Sequence, residues 1–485
     1  MQCVILNGIE EKYMQTIKTI PLSKFAEFSN IRLGAYYELP SLVFEYEPLM
    51  DFIELLESGS RPSGGINESD EGQAISLGGE QIGTDGTLNI NKIPYVPLDY
   101  YENATKGKIF DGDILLCKDG ALTGKVCQVD LSLLPHHKVM ANEHIYVVRA
   151  NNKINQKFLF YLMRADFFQN QVKDFAFHKK GQPGLNSDHV KAIKLPYVPF
   201  EIQTALVHGP ISVIEQQICD LQKDIRSDSK IIDELFFKIF GFNYEMFESV
   251  RENESNHATL LDFSNNSDLR FSVKFHRDSG NFVMQELMNR TDKKIKHYLA
   301  EPIVLGASVS PSDYSDDGEF CYISMATIKN WRFDLESAST VSKKYSDSKQ
   351  VKTVRKNDII LARSGEGTIG KVALIDDDEL QGVFADFTMR IRLKDYNPEF
   401  AYYYFRTTYF QYLIEIYKKG LGNNTNIFPV VVREFPMLDI SLEEQQRIVD
   451  EIHSEISKQN KIKLEIAKLR AKIDQIVENT ITRGE

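Results

Sequence analysis

The sequence predicts a mixed α+β fold in which two repeated α/β domains are joined by two long helices that form an antiparallel coiled-coil spacer. Two observations carry most of this prediction. The chain contains two copies of one unit of roughly 240 residues with the same internal order, which is typical of a duplicated architecture. Each copy ends in a narrow stripe of apolar residues at alternating spacings of three and four, which is typical of a helix with one buried seam.

The repeat is clearest in two glycine-containing segments. The segment "DGDILLCKDGALTGKV" at residues 111–126 aligns with "KNDIILARSGEGTIGKV" at residues 356–372. An aromatic helical segment follows each of them, and then a glycine-rich loop, "GQPGLN" in the first copy and "GLGNNTN" in the second. Residues that match across the two copies are Asp113 with Asp358, Gly120 with Gly365, Arg164 with Arg406, and Asn186 with Asn426.

The segments before each helical stripe have a β-rich character. Short apolar runs punctuated by glycine and polar turns occupy residues 75–150 and 321–395, and they predict two mixed α/β domains. A polar stretch rich in asparagine and serine follows the first stripe, as expected of a connector. The predicted segments are a first domain at 1–200, in which 1–40 are not placed, a central spacer helix at 201–240, a connector at 241–285, a second domain at 286–440 and a C-terminal spacer helix at 441–482.

The two spacer helices share one heptad phase, because their apolar positions map onto each other at a constant offset. The predicted seam consists of Ile211, Ile214, Ile218, Leu221, Ile225, Ile232, Leu235, Ile452, Ile462, Ile466, Leu469, Ile473 and Ile476. Polar residues interrupt it at Asp228, Glu455 and Gln459. Beyond Pro210, about 30 to 35 residues predict a rod roughly 50 Å long. Two amphipathic helices that each pack on their own domain are the alternative.

The segment from Gly365 to Lys371 has nearly the spacing of a nucleotide-binding phosphate loop, which requires a Ser or Thr after Gly-Lys. Here the next residue is Val372, which has no hydroxyl for magnesium. The matching segment of the first copy has one residue fewer between its glycines, Gly120 and Gly124. A nucleotide site does not tolerate this change of length, whereas a turn between strands does. We therefore predict a strand-turn-strand element in both copies.

Other sequence signatures of catalysis are missing. The chain has no Asp or Asn followed by Pro-Pro and an aromatic residue, no dinucleotide-binding motif, no H-E-x-x-H and no nuclease core. Its five cysteines are widely spaced and lack a histidine at zinc-ligand spacing, so no metal site is expected. We predict a protein with no catalytic residues and no cofactor of its own.

The net charge of −12 lowers the expectation of nucleic-acid binding, because phosphate contacts need lysine and arginine. Net charge averages over the surface, however, and one basic face can coexist with acidic helices. No uncharged apolar run approaches the roughly 20 residues that span a bilayer. The acidic Glu10 and Glu11 come too early for a signal peptide, so a cytoplasmic protein without membrane association is expected.

The combination of these parts resembles the DNA-specificity subunit of type I restriction-modification systems. The resemblance rests on the two glycine-containing segments, the two loops, the strands "IKLPYVP" and "REFPMLDI", and the helix starts "PFEIQTALV" and "LEEQQRIVDEI". It extends in order from about residue 40 to residue 482. The chain departs from the usual pattern in its long polar connector and in residues 1–40, which leaves the starts of the domains open.

The resemblance implies two target-recognition domains, each recognising one half of a split, asymmetric site on double-stranded DNA. The helical spacer then sets the number of base pairs between the halves. Two methyltransferase subunits, which use S-adenosylmethionine, dock on the helices, and restriction subunits with ATP- and Mg-dependent translocation join them in host defence. Alternatives are a subunit of a related bipartite-site restriction enzyme, an enzyme with unrecognised catalytic residues, and a scaffold that binds only proteins.

Sequence-specific recognition needs Arg, Lys, Asn and Gln for base edges, with further contacts to phosphates. Such residues cluster in the repeated turn and loop of each copy. The candidates for DNA binding are Lys118, Thr123, Lys125, His178, Lys179, Lys180, Gln182 and Asn186 in the first copy, and Arg363, Ser364, Thr368, Lys371, Lys418, Lys419, Asn423, Asn424 and Asn426 in the second. For any one of them a solvated turn is the alternative. The glycines and aspartates of the turns are expected to be structural, because glycine supplies backbone freedom.

Overall fold

The computed structural model describes residues 2–5, 18–21, 37–62, 65, 74–176, 183–253, 259–261, 270, 272–365, 367–420 and 424–484. The chain divides into two compact units. The first consists of Met1–Lys223 and Leu464–Glu485, and the second consists of Asp224–Lys463. The last residues of the chain therefore belong to the unit formed by its first half.

The first unit contains small sheets and short helices in its described part. Its strands are β1 (Gln2–Ile5), β2 (Lys18–Pro21), β3 (Tyr46–Pro48), β4 (Ile53–Ser58), β5 (Ala74–Leu77), β6 (Tyr95–Val96), β7 (Lys108–Ile109), β8 (Ile114–Cys117), β9 (Val126–Gln128), β10 (Val139–Ala141), β11 (Ile145–Ala150) and β12 (Lys194–Pro196). Its helices are α1 (Leu98–Asn103), α2 (Gln156–Arg164), α3 (Asp166–Ala176), α4 (Ser187–Ala192), α5 (Phe200–Leu206) and α6 (Ser212–Lys223), with a π-helical turn at Val207–Ile211.

The second unit has the same character. Its strands are β13 (Val304–Leu305), β14 (Phe320–Ile323), β15 (Ile328–Lys329), β16 (Arg332–Phe333), β17 (Thr340–Val341), β18 (Ile359–Ala362), β19 (Val372–Leu374), β20 (Gly382–Phe384) and β21 (Thr388–Ile391). Its helices are α7 (Asp228–Phe240), α8 (Tyr244–Glu252), α9 (Asp278–Met288), α10 (Lys343–Ser348), α11 (Pro398–Arg406), α12 (Thr408–Tyr417), α13 (Pro429–Val432) and the first part of α14 (Leu442–Arg483).

The sheets of the two units have matching strand orders. The antiparallel order β4-β11-β8-β9 in the first unit corresponds to β13-β21-β18-β19 in the second. A second sheet, β6-β5-β10-β7, corresponds to β17-β14-β20, and each contains one parallel pair, β5 with β10 and β14 with β20. The predicted duplication and the mixed α+β class are thus confirmed. The central strands β8 and β18 are buried along their whole length, as their unbroken apolar runs indicate.

A buried ion pair recurs in both copies. The Asp113 carboxylate accepts hydrogen bonds from Nε and Nη2 of Arg149 at 2.8 and 2.7 Å, and the Asp358 carboxylate accepts the same pair from Arg392, both at 2.7 Å. The aspartates are 2% and 0% exposed. Such bidentate pairs are short and directional. The expectation that the aspartates before the turns are structural agrees with this geometry.

The glutamines of the helix starts "PFEIQT" and "LEEQQR" also have a structural role in each unit. The Gln203 side chain accepts from the Asn155 backbone N–H at 2.8 Å and donates to the Val198 carbonyl at 2.7 Å. Gln445 accepts from the Asn397 N–H and donates to the Ile440 carbonyl, both at 2.8 Å. Both glutamines are fully buried, so they satisfy backbone groups that water cannot reach.

The segment predicted as the central spacer helix, residues 201–240, is helical but broken into parts, so the single rod predicted beyond Pro210 is not continuous. The helix is interrupted at the π-helical turn around Pro210 and again between Lys223 and Asp228. At the second interruption the Arg226 N–H donates to Oε1 of Gln459 at 2.8 Å, and the Arg226 guanidinium binds Glu234 and Glu455 at 2.8 and 2.9 Å. These contacts satisfy the groups that the helical ladder would otherwise pair. Glu455 and Gln459, which interrupt the apolar stripe of α14, therefore stabilise the interruption between α6 and α7 through Arg226.

The predicted seam residues have unequal burial. Within the first unit, Ile211, Ile214, Ile218, Ile466 and Ile473 are buried, and within the second, Ile232, Leu235 and Ile452 are buried. Ile225 is 38% exposed because it lies in the interruption, and Leu221, Ile462, Leu469 and Ile476 are half-buried. In contrast to the first stripe, α14 runs as one helix of 42 residues.

The predicted polar connector at 241–285 is only partly a connector. It contains α8 and the first residues of α9, whose side chains Phe247 and Val283 are fully buried in the large core of the second unit. The composition is polar, but both helices carry apolar residues at helical spacing, which is enough to bury one face.

Replacing Gln459 with alanine is expected to lower the free energy of unfolding by about 1–2 kcal/mol, because a buried amide that satisfies the Arg226 N–H is lost. The measurement is urea denaturation of the full chain. Lys461→Ala, on an exposed side chain of the same helix, is the control and is expected to change little. Equal effects of the two substitutions would contradict this role of Gln459.

Candidate nucleic-acid interface

The turn after β8 and the described end of the loop, residues 183–186, lie against each other in the first unit. The turn follows β8, and the Gly120 N–H donates to the Pro183 carbonyl at 3.0 Å. The Leu185 N–H donates to the Lys118 carbonyl at 2.7 Å, and Asp119 and Gly184 form an antiparallel bridge. Residues that are 60 or more positions apart are thereby brought onto one surface.

The side chains on this surface differ in how far they are exposed and free to contact a ligand. Nζ of Lys118 lies 5.1 Å from the Tyr146 ring centroid and 4.0 Å from an Asp119 carboxylate oxygen, while Lys125 is half-buried. The Thr123 hydroxyl donates to the Gly120 carbonyl at 2.6 Å inside the turn. Asn186 is exposed and caps α4. The candidates His178, Lys179, Lys180 and Gln182 lie outside the described residues.

A polar cleft of about 790 Å³ lies beside this turn. His144 lines it and has its ring nitrogens 3.4 Å from Asp119 and 3.3 Å from Glu143, which also pairs with Arg61 at 2.7 Å. Burial raises the pKa of the Cys117 thiol at the same cleft. The sequence prediction missed these neighbours, although the segment "NEH" directly before β11 offered charged residues next to a buried strand.

The second unit builds the same turn-loop pair. The Gly365 N–H donates to the Thr425 carbonyl at 3.2 Å, and the Ile427 N–H donates to the Arg363 carbonyl at 2.9 Å. Lys419 and Asn426 exchange two backbone hydrogen bonds of 2.7 Å. The described end of the loop, residues 424–427, therefore lies against Arg363, Ser364 and Gly365 as residues 183–185 do against the turn of the first unit. The bridge of Ser364 with Asn426 corresponds to that of Asp119 with Gly184, so the predicted match of Asn426 with Asn186 is wrong.

The candidates of the second unit also divide into two groups. Arg363 donates from Nε to the Asp386 carbonyl at 2.9 Å and from Nη1 to Oδ1 of Asn426 at 3.2 Å, so both candidates form one amide-guanidinium pair. Asn424 is exposed, and Lys371 and Lys419 are half-buried. The side chains turned inward are Ser364, whose hydroxyl donates to the Thr425 carbonyl, Thr368, whose hydroxyl donates to the Ser364 carbonyl, and Lys418, which is 7% exposed and pairs with Glu415. Asn423 lies outside the described residues.

The last glycine of each turn, Gly124 or Gly370, accepts a hydrogen bond from a glutamine of the adjacent aromatic helix. Nε2 of Gln169 donates to the Gly124 carbonyl at 2.9 Å, and Nε2 of Gln411 donates to the Gly370 carbonyl at 2.8 Å. Both glycines have positive φ, at +94° and +87°. The segment that resembled a phosphate loop is thus a strand-turn-strand element docked on a helix by its carbonyl, as the comparison of the two copies predicted.

Within the described ranges, no group of three or more His, Cys, Asp or Glu side chains is arranged to hold a metal ion. No helix in this part of the chain has the length and apolar character needed to cross a bilayer.

Comparison with known proteins gives one family. The family model of the type I restriction modification DNA specificity domain matches the chain at residues 45–224 and 303–469. No curated protein matches the sequence.

Solved structures of similar chains come from the same systems. One, from a study of complex assembly and conformational transition of the type I R-M system, is 16% identical with a TM-score of 0.45, covering 92% of this chain and 99% of that chain. The type I restriction-modification S subunit from M. genitalium is 13% identical with a TM-score of 0.38, covering 91% and 96%. The HsdS subunit from Thermoanaerobacter tengcongensis is 14% identical with a TM-score of 0.30, covering 92% and 98%.

Proposed function

Since the chain belongs to the family of type I restriction modification DNA specificity domains, we propose that each of its units recognises one half of a split site on double-stranded DNA. The chain is a DNA-specificity subunit and is not itself the catalytic component. The observation that carries the proposal is the turn-loop pair, which has two matching backbone hydrogen bonds in both units and carries cationic and amide side chains. Such side chains supply phosphate contacts and base-edge hydrogen bonds.

The two surfaces present different chemistry, as two different half-sites require. The first offers Lys118 next to Asp119, and the second offers Arg363 paired with Asn426. Arginine and asparagine favour guanine and adenine edges, respectively, in the major groove. The side chains that we propose for DNA contact are Lys118, Lys125, Asn186, Arg363, Lys371, Lys419, Asn424 and Asn426, together with the undescribed candidates His178, Lys179, Lys180, Gln182 and Asn423.

We propose further that the chain works in a complex with two methyltransferase subunits, which dock on the spacer helices, and with restriction subunits. The partners supply S-adenosylmethionine-dependent methylation of adenine and ATP- and Mg-dependent translocation. Support comes from the exposed side of α14, whose charged residues extend along a helix of 42 residues.

Replacing Lys371 and Lys419 together with alanine is expected to remove about two phosphate contacts. The slope of the logarithm of the binding constant against the logarithm of the salt concentration should then become shallower by about two. Arg363→Ala is expected to reduce discrimination at one half-site by about 1–3 kcal/mol, because a base-edge contact is lost. The measurement is fluorescence anisotropy of duplexes mutated in one half or the other, with the methyltransferase complex at several salt concentrations.

Two further variants make this experiment specific. Lys118→Ala with Lys125→Ala is expected to affect the opposite half-site, and Lys344→Ala, on an exposed residue of α10, serves as the control. If the complex binds no duplex selectively, the proposed function is wrong. If the paired lysine variants act on the same half-site, the assignment of one unit to each half is wrong.

A further inference from the structure

The second unit contains a cavity of about 900 Å³ between the β15–β16 turn, α11 and the first part of α14. Its walls include Trp331, Tyr402, Tyr403 and Arg406. The acidic residues around it are Asp228, Asp376, Asp377 and Glu399. The basic ones are Arg332, Lys356 and His453, whose Nε2 lies 2.7 Å from a Glu399 carboxylate oxygen. Lys356 already pairs with Asp378 at 2.6 Å. The surroundings of Arg406 are therefore aromatic, and the surrounding charges are mostly acidic.

Arg406 is a buried cation without a carboxylate partner. It is 7% exposed, its Nη1 donates to the Tyr402 hydroxyl at 2.9 Å, and its guanidinium lies 5.6 Å from the Trp331 ring centroid. In the part of the chain that the structure describes, no Asp or Glu forms an ion pair with it. Its Nε has no hydrogen-bond partner, but neither has Nε of Arg164, so the missing counterion is what distinguishes Arg406 from its counterpart. A buried charge without a counterion is costly, so a group that supplies the counterion binds favourably here.

The matching arginine of the first unit has the partner that Arg406 lacks. Nη2 of Arg164 lies 3.6 Å from an Asp474 carboxylate oxygen, and Arg470 on the same helix forms an ion pair with Asp85. These side chains, together with others, leave a cavity of only about 210 Å³. In the first unit, Arg470 and Asp474 of α14 thus occupy the space that corresponds to the cavity of the second unit.

The repeat places Asp233 and Ser229 at the positions of Asp474 and Arg470. Asp233 does not face Arg406, because its carboxylate accepts from the Thr408 N–H at 2.7 Å and from the Thr408 hydroxyl at 2.6 Å. Serine at position 229 cannot form the ion pair made by Arg470. The second unit therefore lacks the two ion pairs that occupy the corresponding site of the first unit, and a larger cavity remains there.

The turn beside the cavity is strained in the second unit. Asn330 and Trp331 have φ values of 50° and 64°, and they align with Asp85 and Gly86. A tryptophan in the left-handed region is unfavourable and persists where the surroundings fix it. Here the Tyr402 hydroxyl donates to the Trp331 carbonyl at 2.7 Å. The turn thus holds the indole against Arg406 despite the unfavourable backbone.

We propose that this cavity is the docking site for a polypeptide segment of the methyltransferase partner, which places an Asp or Glu carboxylate on Arg406. Apolar side chains of that segment pack on Trp331 and Tyr402, and basic ones face the acidic rim. A DNA phosphate would also supply an anion, but Asp228, Asp376 and Asp377 would repel the rest of a polyanionic backbone. The inference rests on the proposed function, because it takes the partner from there.

Trp331 is the sole tryptophan of the chain, so it reports on the cavity directly. The full chain containing 5-fluorotryptophan is titrated with the unlabelled cognate methyltransferase subunit, and in a separate arm with duplex DNA alone. The partner is expected to shift the single fluorine resonance and to protect Trp331 from acrylamide quenching. DNA alone is expected to change neither signal. A change caused by DNA and not by the partner, or by neither of them, overturns the proposal.

Arg406→Gln is expected to weaken partner binding at least about tenfold, because the inserted carboxylate loses its counterion. Arg406→Lys retains the charge and is expected to recover part of the affinity. Arg332→Gln, which changes a cation at the rim, is the matched control and is expected to have little effect. Thermal unfolding checks the fold of each variant, and the titration of the unsubstituted chain decides the question if Arg406→Gln does not fold.

This inference and the proposed function can fail separately. If Arg406→Gln binds the partner normally and the Trp331 signals do not move, the docking site is wrong even when the complex still discriminates DNA sequences. If the complex binds no DNA selectively but Trp331 responds to the partner, the docking site stands and the DNA-reading role is wrong.

Discussion

Replacing Asp358 with alanine is expected to lower the free energy of unfolding of the second unit by about 3–5 kcal/mol, because Arg392 then loses its buried bidentate partner. The Asp358 carboxylate also accepts the Arg355 N–H at 2.7 Å, so the substitution removes three hydrogen bonds at once. Glu301 lies 3.2 Å from Arg392 and compensates part of the charge, which keeps the loss within this range. The measurement is urea denaturation followed by the emission of Trp331, which lies in this unit.

Asp378→Ala is the matched control for this prediction. Asp378 pairs with Lys356 at 2.6 Å, but its side chain is 70% exposed, so its loss is expected to cost about 1 kcal/mol or less. A similar small effect at Asp358 would mean that the repeated ion pair does not stabilise the fold.

Replacing Gly370 with valine is expected to destabilise the second unit by about 2–5 kcal/mol and to impair recognition at its half-site. The backbone there has φ of +87°, and a side chain would start 2.7 Å from Oε1 of Gln411 and 3.0 Å from Ile414. The turn must therefore move away from α12, and Arg363 and Lys371 move with it. Denaturation followed by Trp331 and half-site discrimination by anisotropy measure the two effects.

Gly367→Val separates backbone strain from the clash. Gly367 has φ of +81° but no atom within 4 Å of a built side chain, so only the strain of about 1–2 kcal/mol is expected. If the two valine variants are equally stable and discriminate equally, docking of the turn on the glutamine is not what positions the candidate residues.

Several features of the fold were predictable because they depend on local pattern. The duplicated turns at residues 111–126 and 356–372 indicated two copies of one sheet, and the structure contains both with matching strand orders. The unequal spacing of their glycines excluded a nucleotide loop, because a phosphate site requires a fixed number of backbone N–H groups. The apolar runs of β8 and β18 indicated buried strands, since no polar residue interrupts them.

Other features depend on partners that are distant in the chain. The break between α6 and α7 needs Gln459, which lies 233 residues from Arg226. A heptad pattern describes one helix face and contains no information on such a contact. The inward orientation of Ser364 and Lys418 likewise depends on Thr425 and Glu415, so composition alone placed them among the candidates for DNA contact.

The sequence by itself determined the duplication, the α+β class, the turn-loop clusters and the family that their order suggested. Each of these depends only on the spacing and type of residues. Only the tertiary structure decided that Arg164 has a carboxylate partner, whereas its counterpart Arg406 forms no ion pair with any described Asp or Glu. The two arginines occupy equivalent places in the alignment, and they differ because Asp474 faces Arg164, whereas the matching Asp233 accepts hydrogen bonds from Thr408. Long-range packing determines whether a buried charge is paired, and repeat periodicity alone does not specify it.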